Sequence, residues 1–130
     1  MSGYLLDSSF VIPFLREQTT GVAGEATRYL SRLPGRVRVH LSIVAYAEIM
    51  EHAANPIELA RELRAHFRLI GLSQDIAERV ALIQTRSPRR MGENDAWIAA
   101  TSMKGGLTLI GHDDKAFQDR PGLTYVNFRH

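Results

Sequence analysis

Short apolar runs alternate with helix-start signals along this chain, and that alternation restricts the fold more than any other feature of the sequence. Tyr4–Leu6, Val37–Leu41, Leu69–Leu72 and Leu107–Ile110 read as buried strands, with Thr124–Phe128 as a fifth. Runs this short cannot shelter themselves, and helices lying between them act as crossovers that make the strands parallel and cover both faces of the sheet. The helix signals are explicit. Ser8 or Ser9 caps a helix through Leu15 that contains Pro13, and Gln18–Gly21 reads as a loop. A second helix is expected near Val22–Leu33, from the spacing of Val22, Ala26, Tyr29, Leu30 and Leu33, with Pro34-Gly35 ending it. Ser42 caps a helix with Ile43, Tyr46, Ala47, Met50, Ala53 and Ala54 on one face, and Asn55-Pro56 starts another that ends near Phe67. Ser73 starts a helix carrying Ile76, Val80 and Ile83. A basic loop, Ser87–Gly92, leads into helix Glu93–Lys104, which Gly105-Gly106 stops.

The expected architecture is therefore α/β in three layers, with a central parallel sheet of four to five strands. At 130 residues the chain suits a single domain spanning 1–130. Its 45% hydrophobic and 23% charged content is that of a globular protein. No apolar run reaches bilayer length, and the start, Met1-Ser2-Gly3-Tyr4, lacks the basic segment of a secretion signal. The absence of cysteine excludes disulfides and thiolate chemistry and fits a cytoplasmic protein. Only Lys104 and Lys115 are lysine; the other 14 of 16 basic residues are arginine, which grips phosphate in a bidentate fork and stacks on bases. With a pI near 9.3, that composition suits nucleic acid as a partner. There is no phosphate-binding GxxxxGK[ST] loop, no GxSxG elbow and no HExxH pair, so NTPase, serine hydrolase and zincin chemistry are set aside.

Acids stand where apolar residues or plain turns are expected. Asp7 is the only charge between Gly3 and Leu15, and Glu48 the only one between Leu41 and Met50. Asp95 opens the small-residue helix DAWIAATSM, and Asp113-Asp114 closes the run Leu107–Ile110. Singly, each has an ordinary reading as a helix cap, a first-turn acid or a turn residue. Jointly they suggest an acidic pocket, because buried carboxylates are costly unless they are paired or hold a cation. Strand order gives them a common address, since the crevice of an open α/β sheet lies at the carboxyl ends of its strands. An all-oxygen site of this kind suits Mg²⁺ or Mn²⁺.

The residues in question are Tyr4-Leu5-Leu6-Asp7-Ser8-Ser9, Ser42 six residues before Glu48, Gly92-Glu93-Asn94-Asp95-Ala96-Trp97-Ile98-Ala99-Ala100-Thr101, and Gly106–Phe117. In order and spacing the chain resembles the PIN-domain nucleases, most closely the VapC-type toxins of toxin–antitoxin pairs. The resemblance implies a metal site of Asp7, Glu48, Asp95 and either Asp113 or Asp114, supported by Ser8 or Ser9 and Asn94. Counting back from Phe117 favours Asp114, and counting forward from Gly111 favours Asp113. It further implies Mg²⁺- or Mn²⁺-dependent cleavage of RNA such as tRNA or rRNA, a homodimer, and a cognate antitoxin over a groove near the site. Val22, Tyr29, Leu33, Ile57, Leu63 and Phe67 are candidates for lining that groove. One departure stands out: many relatives carry threonine or serine where this chain has Gly111, so a supporting hydroxyl is expected to be missing. Arg89 and Arg90, beside the acidic helix start, are candidate RNA contacts, whereas Trp97 reads as a packing residue and His112 as a surface one. Two rival readings use the same residues: a non-catalytic PIN-like module acting through antitoxin and DNA complexes, and a single-stranded DNA nuclease.

Overall fold

The first strand, β1 (Tyr4–Leu6), lies at the middle of a five-stranded, wholly parallel sheet. The structure, a computed structural model, describes residues 3–35 and 38–129. After β1 come α1 (Ser8–Thr20), α2 (Glu25–Arg32), β2 (Val39–Ser42), α3 (Ile43–Glu51), α4 (Pro56–His66) and β3 (Arg68–Ile70). The second half supplies α5 (Gln74–Arg86), α6 (Glu93–Gly105), β4 (Thr108–Gly111), α7 (Asp114–Phe117) and β5 (Tyr125–Asn127). The strand order is β3-β2-β1-β4-β5, with Leu6 paired to Leu41 on one side and Ile110 on the other. The chain thus builds outward from β1 in one direction and then in the other, which puts the topological switch between β1 and β4. Helices flank the sheet in the three-layer arrangement expected.

Leu5, Leu6, Leu41, Leu109 and Ile110 are fully buried, as strands covered on both faces must be. An aromatic cluster ties α1 to the sheet edge and to α4. Phe10 meets Phe128 edge-on at 4.8 Å, and Phe14 meets Phe67 at 6.3 Å. On α6, Ala96, Ala99, Ala100, Thr101 and Ser102 are all buried. Their small size lets α6 approach its neighbours closely, and the Ser102 hydroxyl donates to the Leu107 carbonyl at 2.9 Å, so its burial leaves no orphan donor. No helix among the described residues is long and apolar enough to cross a membrane.

The cap signals at Ser42, Asn55 and Ser73 are all used: each side chain accepts a backbone N–H of the helix it precedes. Several boundaries differ from expectation. Asp7, not Ser8 or Ser9, caps α1, because its carboxylate reaches the Ser9 N–H. Helix α1 also runs past Leu15 to Thr20, where a loop was expected, and ends on Gly21 in the left-handed region (φ 73). Its polar tail persists because Glu17 has a partner. The Glu17 carboxylate accepts the N–H groups of Gly24 and Thr27, both at 2.8 Å, at the open start of α2. Gly24 leaves room for this carboxylate, since a Cβ there would lie 2.6 Å from Glu17 Cδ and push the side chain aside. Val22 consequently falls in a loop and is 68% exposed rather than helical. The expected strand start at Val37 lies outside the described residues. Strand β3 begins at Arg68 and leaves Leu72 exposed. Helix α3 ends at Glu51, before Ala53 and Ala54, and buries Ala45, Tyr46 and Ile49 while Ala47 faces solvent. Of the residues considered for a groove, Leu63 is sealed in the core and Ile57 is 74% exposed, whereas Leu33 and Phe67 line a hollow of about 240 Å³.

Candidate metal centre

Asp7 leaves the carboxyl end of β1, and its backbone N–H continues the ladder to the Ile110 carbonyl at 2.9 Å. Its side chain is 4% exposed, so the carboxylate that starts α1 also sits at the switch between β1 and β4. One oxygen, Oδ2, accepts both the N–H and the hydroxyl of Ser9. The Ser9 hydroxyl oxygen in turn accepts the His112 N–H at 2.8 Å, stitching the end of β4 to the start of α1. That stitch explains Gly111. A Cβ at position 111 would stand 2.8 Å from Ser9 Oγ and 3.0 Å from Asp7 Cβ. Position 111 carries no hydroxyl, as expected, and the space a side chain would need there is occupied by Ser9 and Asp7. Ser8 has no side-chain bond of this kind among the described residues.

Glu48 comes from α3, two turns after the Ser42 cap. Its Oε2 accepts from Asn94 Nδ2 at 3.2 Å, joining α3 to the first turn of α6, while its Oε1 is buried without a hydrogen-bond partner. Asp95 follows on α6, half-buried beside a hollow of about 220 Å³ that Asp113 also lines. Trp97 lies partly buried against the core, as expected for a packing residue.

The two neighbouring aspartates have separate jobs. Asp113 caps α7, accepting the Ala116 N–H at 3.2 Å, and its charge acts on both Asp7 and Asp95. Asp114 instead accepts from the Tyr125 hydroxyl and from Asn127 Nδ2, both at 2.9 Å. The same Tyr125 oxygen accepts the Asp113 N–H at 2.9 Å, so one phenol sorts the pair. Burial, followed by the nearby carboxylates, holds this phenol protonated well above its usual range, and it stays a donor to Asp114. His112 is exposed and its Nδ1 lies 3.0 Å from Asn127 Oδ1.

Electrostatics show what these placements cost. Burial raises the Asp7 carboxyl above its ordinary value despite the bonds from Ser9 that favour its ionised form, and Asp113 adds to the rise. Glu48 is raised by burial against the Asn94 bond, with Asp7 contributing. Asp95 is pushed up to about 6, first by burial and then by Asp7, Asp113 and Glu48, with Arg120 as a weak counterweight. Four carboxylates from β1, α3, α6 and the β4–α7 junction thus feel one another at one rim. A buried, unpartnered carboxylate oxygen and mutually repelling acids fit a divalent cation. Among the described residues, no three acidic or histidine side chains stand close enough together to hold a metal ion as they are, so a cation would have to draw these carboxylates inward. An ion bound here would keep part of its water shell, as Mg²⁺ commonly does.

A PIN domain family model matches residues 4–123. The chain belongs to the PIN domain family. No match is found among curated proteins. Solved structures of the same shape include VapBC-1 from nontypeable Haemophilus influenzae, 22% identical over the whole of both chains with a TM-score of 0.80. A toxin–antitoxin complex from Klebsiella pneumoniae is 27% identical, covers 97% of this chain and 98% of that one, and scores 0.77. VapC20 of Mycobacterium tuberculosis, described as a sarcin–ricin loop cleaving toxin, is 20% identical over 82% and 87% of the two chains, with a TM-score of 0.62.

Around the acids of this PIN domain lie groups that no motif pointed to. Gln84 on α5 pairs with the backbone of Met91 in both directions, accepting its N–H at 3.0 Å and donating to its carbonyl at 2.9 Å. This fixes the loop that delivers Asp95. Arg120 donates from Nε to the Ala116 carbonyl at 2.8 Å and from Nη1 to the Arg89 carbonyl at 2.9 Å, and Arg89 donates to the Lys115 carbonyl at 2.7 Å. Arg90 pairs with Glu93 in an exposed ion pair at 3.5 Å. Tyr125 and Asn127 carried a faint sequence signal, two polar tips alternating in an otherwise apolar strand. Gln84 and Arg120 carried none.

Proposed function

We propose that this PIN domain is a metal-dependent endoribonuclease, the VapC-type toxin of a toxin–antitoxin pair, acting on tRNA or rRNA in the cytoplasm. The observation that carries the reading is the electrostatic coupling of Asp95 to Asp7, Asp113 and Glu48 near the β1–β4 switch, which adds to burial in raising the Asp95 carboxyl to about 6. These four side chains would hold Mg²⁺ or Mn²⁺. The ion would supply Lewis acidity toward a phosphodiester and its attacking water. Ser9 and Asn94 orient Asp7 and Glu48 by fixing one oxygen of each carboxylate. Asp113 is preferred over Asp114, whose carboxylate is engaged by β5. Arg89 and Arg90 border the same hollow and would meet the RNA backbone.

VapBC-1 and the Klebsiella pneumoniae structure are toxin–antitoxin complexes, which supports a cognate antitoxin as partner, and the proposed working unit is a homodimer. Purified protein incubated with a tRNA and rRNA pool should cut it with Mg²⁺ or Mn²⁺ and stop with EDTA. Asp7→Ala and Asp95→Asn should abolish cutting while circular dichroism remains that of the parent. Single-stranded DNA run alongside decides between RNA and DNA. Cutting by either variant at the parent rate would sink the site, and no cutting of either nucleic acid would leave a binding module.

A further inference from the structure

Arg120 lines two hollows at once. One, of about 220 Å³, holds Asp95 and Asp113 with Arg89, Arg90 and Lys115 at its edge. The other, of about 110 Å³, is lined by Arg79, Leu82, Ile83, Arg86, Met103 and Pro121. On α5 the residues Arg79, Leu82, Ile83 and Arg86 fall at i, i+3, i+4 and i+7, so they share one helix face. Among the described residues, no carboxylate forms an ion pair with Arg79, Arg86, Arg89 or Arg120. The acid on the first turn of α5, Asp75, is already taken by Lys104 at 3.2 Å. Arg120 uses two N–H groups on carbonyl oxygens, which fixes its head without neutralising its charge, and a guanidinium has further donors to spare. The turn that returns it, at Asp119, holds a left-handed backbone (φ 60) that aspartate tolerates.

An acidic rim repels the phosphate backbone it must act on, so flanking cations are needed to hold a strand in place. A strand threaded through the acids brings its next phosphate beside them whatever its sequence. We propose that single-stranded RNA continues from the acidic rim over Arg120 into this second hollow. There Arg79 and Arg86 take a flanking phosphate, and the Leu82, Ile83 and Met103 floor takes an unstacked base. The mixture of uncompensated arginine and apolar floor matches a nucleotide, which carries an anionic phosphate beside a flat apolar base. This subsite rests on the ribonuclease reading and extends it to a nucleotide beyond the cut.

The test uses the full chain carrying Asp95→Asn, so that binding is read without cleavage. Fluorescence anisotropy with Mg²⁺ compares single-stranded RNA of about 4 and about 12 nucleotides, a range spanning common single-strand site sizes. The parent should favour the long strand. Adding Arg79→Ala and Arg86→Ala, both at exposed helix positions, should weaken the long strand on the order of tenfold and erase most of that preference. The slope of log affinity against log salt should become shallower by about 0.7 for the one lost phosphate contact. Unchanged long-strand preference and slope in the arginine variant would overturn the subsite. So would an equal loss on both lengths, which would mark a general charge effect. An altered sedimentation state or lost capture of an acidic antitoxin peptide, with RNA binding intact, would reassign the hollow to protein contact. A parent with no affinity for RNA at either length is a different result, and it removes the ribonuclease reading along with the subsite.

Discussion

Replacing Asp95 by asparagine should make the metal-free protein more stable at neutral pH, although it removes a residue of the candidate centre. The Asp95 carboxyl is raised from 3.8 to about 6 by burial and by Asp7, Asp113 and Glu48. A raised carboxyl favours the fold while it is protonated. That contribution is complete below pH 3.8 and is lost as pH rises through about 6. At pH 7.5 the ionised form is therefore a burden of at most about 3 kcal/mol. Solvent reaching this half-exposed side chain reduces it to about 1.5 kcal/mol. Asparagine also gives up the attraction between a first-turn acid and the positive end of α6, about 0.5 kcal/mol. The net gain is about 1 kcal/mol, or about 3–4 °C in Tm for a chain of this size. Thermal unfolding in EDTA at pH 7.5 should show that gain, which should shrink as pH falls and vanish below pH 3.8. Adding Mg²⁺ at pH 7.5 should reverse the ranking, because an ion that binds only the folded state stabilises the parent more. If the metal-free variant melts at or below the parent at pH 7.5, the acids do not strain one another, and the electrostatic case for a cation there fails.

Three further outcomes follow from contacts elsewhere. Gly111→Ser should destabilise the fold by about 1–3 kcal/mol in urea titrations, because the new Cβ meets Ser9 and Asp7 inside a packed junction. Combining it with Ser9→Ala should restore much of the stability and return a hydroxyl to Asp7. Glu17→Ala should cost about 1 kcal/mol by uncapping α2. Burial tends to raise the Glu17 carboxyl, but bonds from Thr27, Gly24 and Ala26 outweigh it and hold the group below 4.5. The parent's advantage over this variant is thus present above pH 4.5 and shrinks as pH falls through the lowered value, which denaturation at several pH values will show. Gln84→Ala should lose about 1–2 kcal/mol with the paired bonds to Met91. It should also slow RNA cleavage more than its small drop in Tm explains, because the loop delivering Asp95 is no longer held.

Sequence pattern located the strands and the capped helices because both signals are local: apolar runs of strand length, and a Ser or Asn one residue before a helix. It could not give the order of strands, which depends on which edges meet in space. It also stopped α1 too early, since Gln18–Thr20 look like loop until Glu17 is seen capping a helix that begins eight residues later. The acids were legible as charges in apolar surroundings. Their partners were not. The contacts that distinguish Asp113 from Asp114 run through Tyr125, eleven or twelve residues away along the chain, and no count from Gly111 or Phe117 contains that information. The lack of a hydroxyl at Gly111 is legible in the sequence, but its reason, a space shared with Ser9 across the β1–β4 junction, is not.

The phenol on β5 also imposes an order of events on synthesis. A ribosome delivers Asp7, Glu48, Asp95 and both aspartates of the β4–α7 junction before it delivers Tyr125 and Asn127. Until those two residues clear the exit tunnel, β4 has an unpaired edge, and nothing from β5 directs Asp114 away from the rim or secures the Asp113 backbone. The rim takes its final form only when β5 pairs with β4 and brings Tyr125 and Asn127 to Asp114.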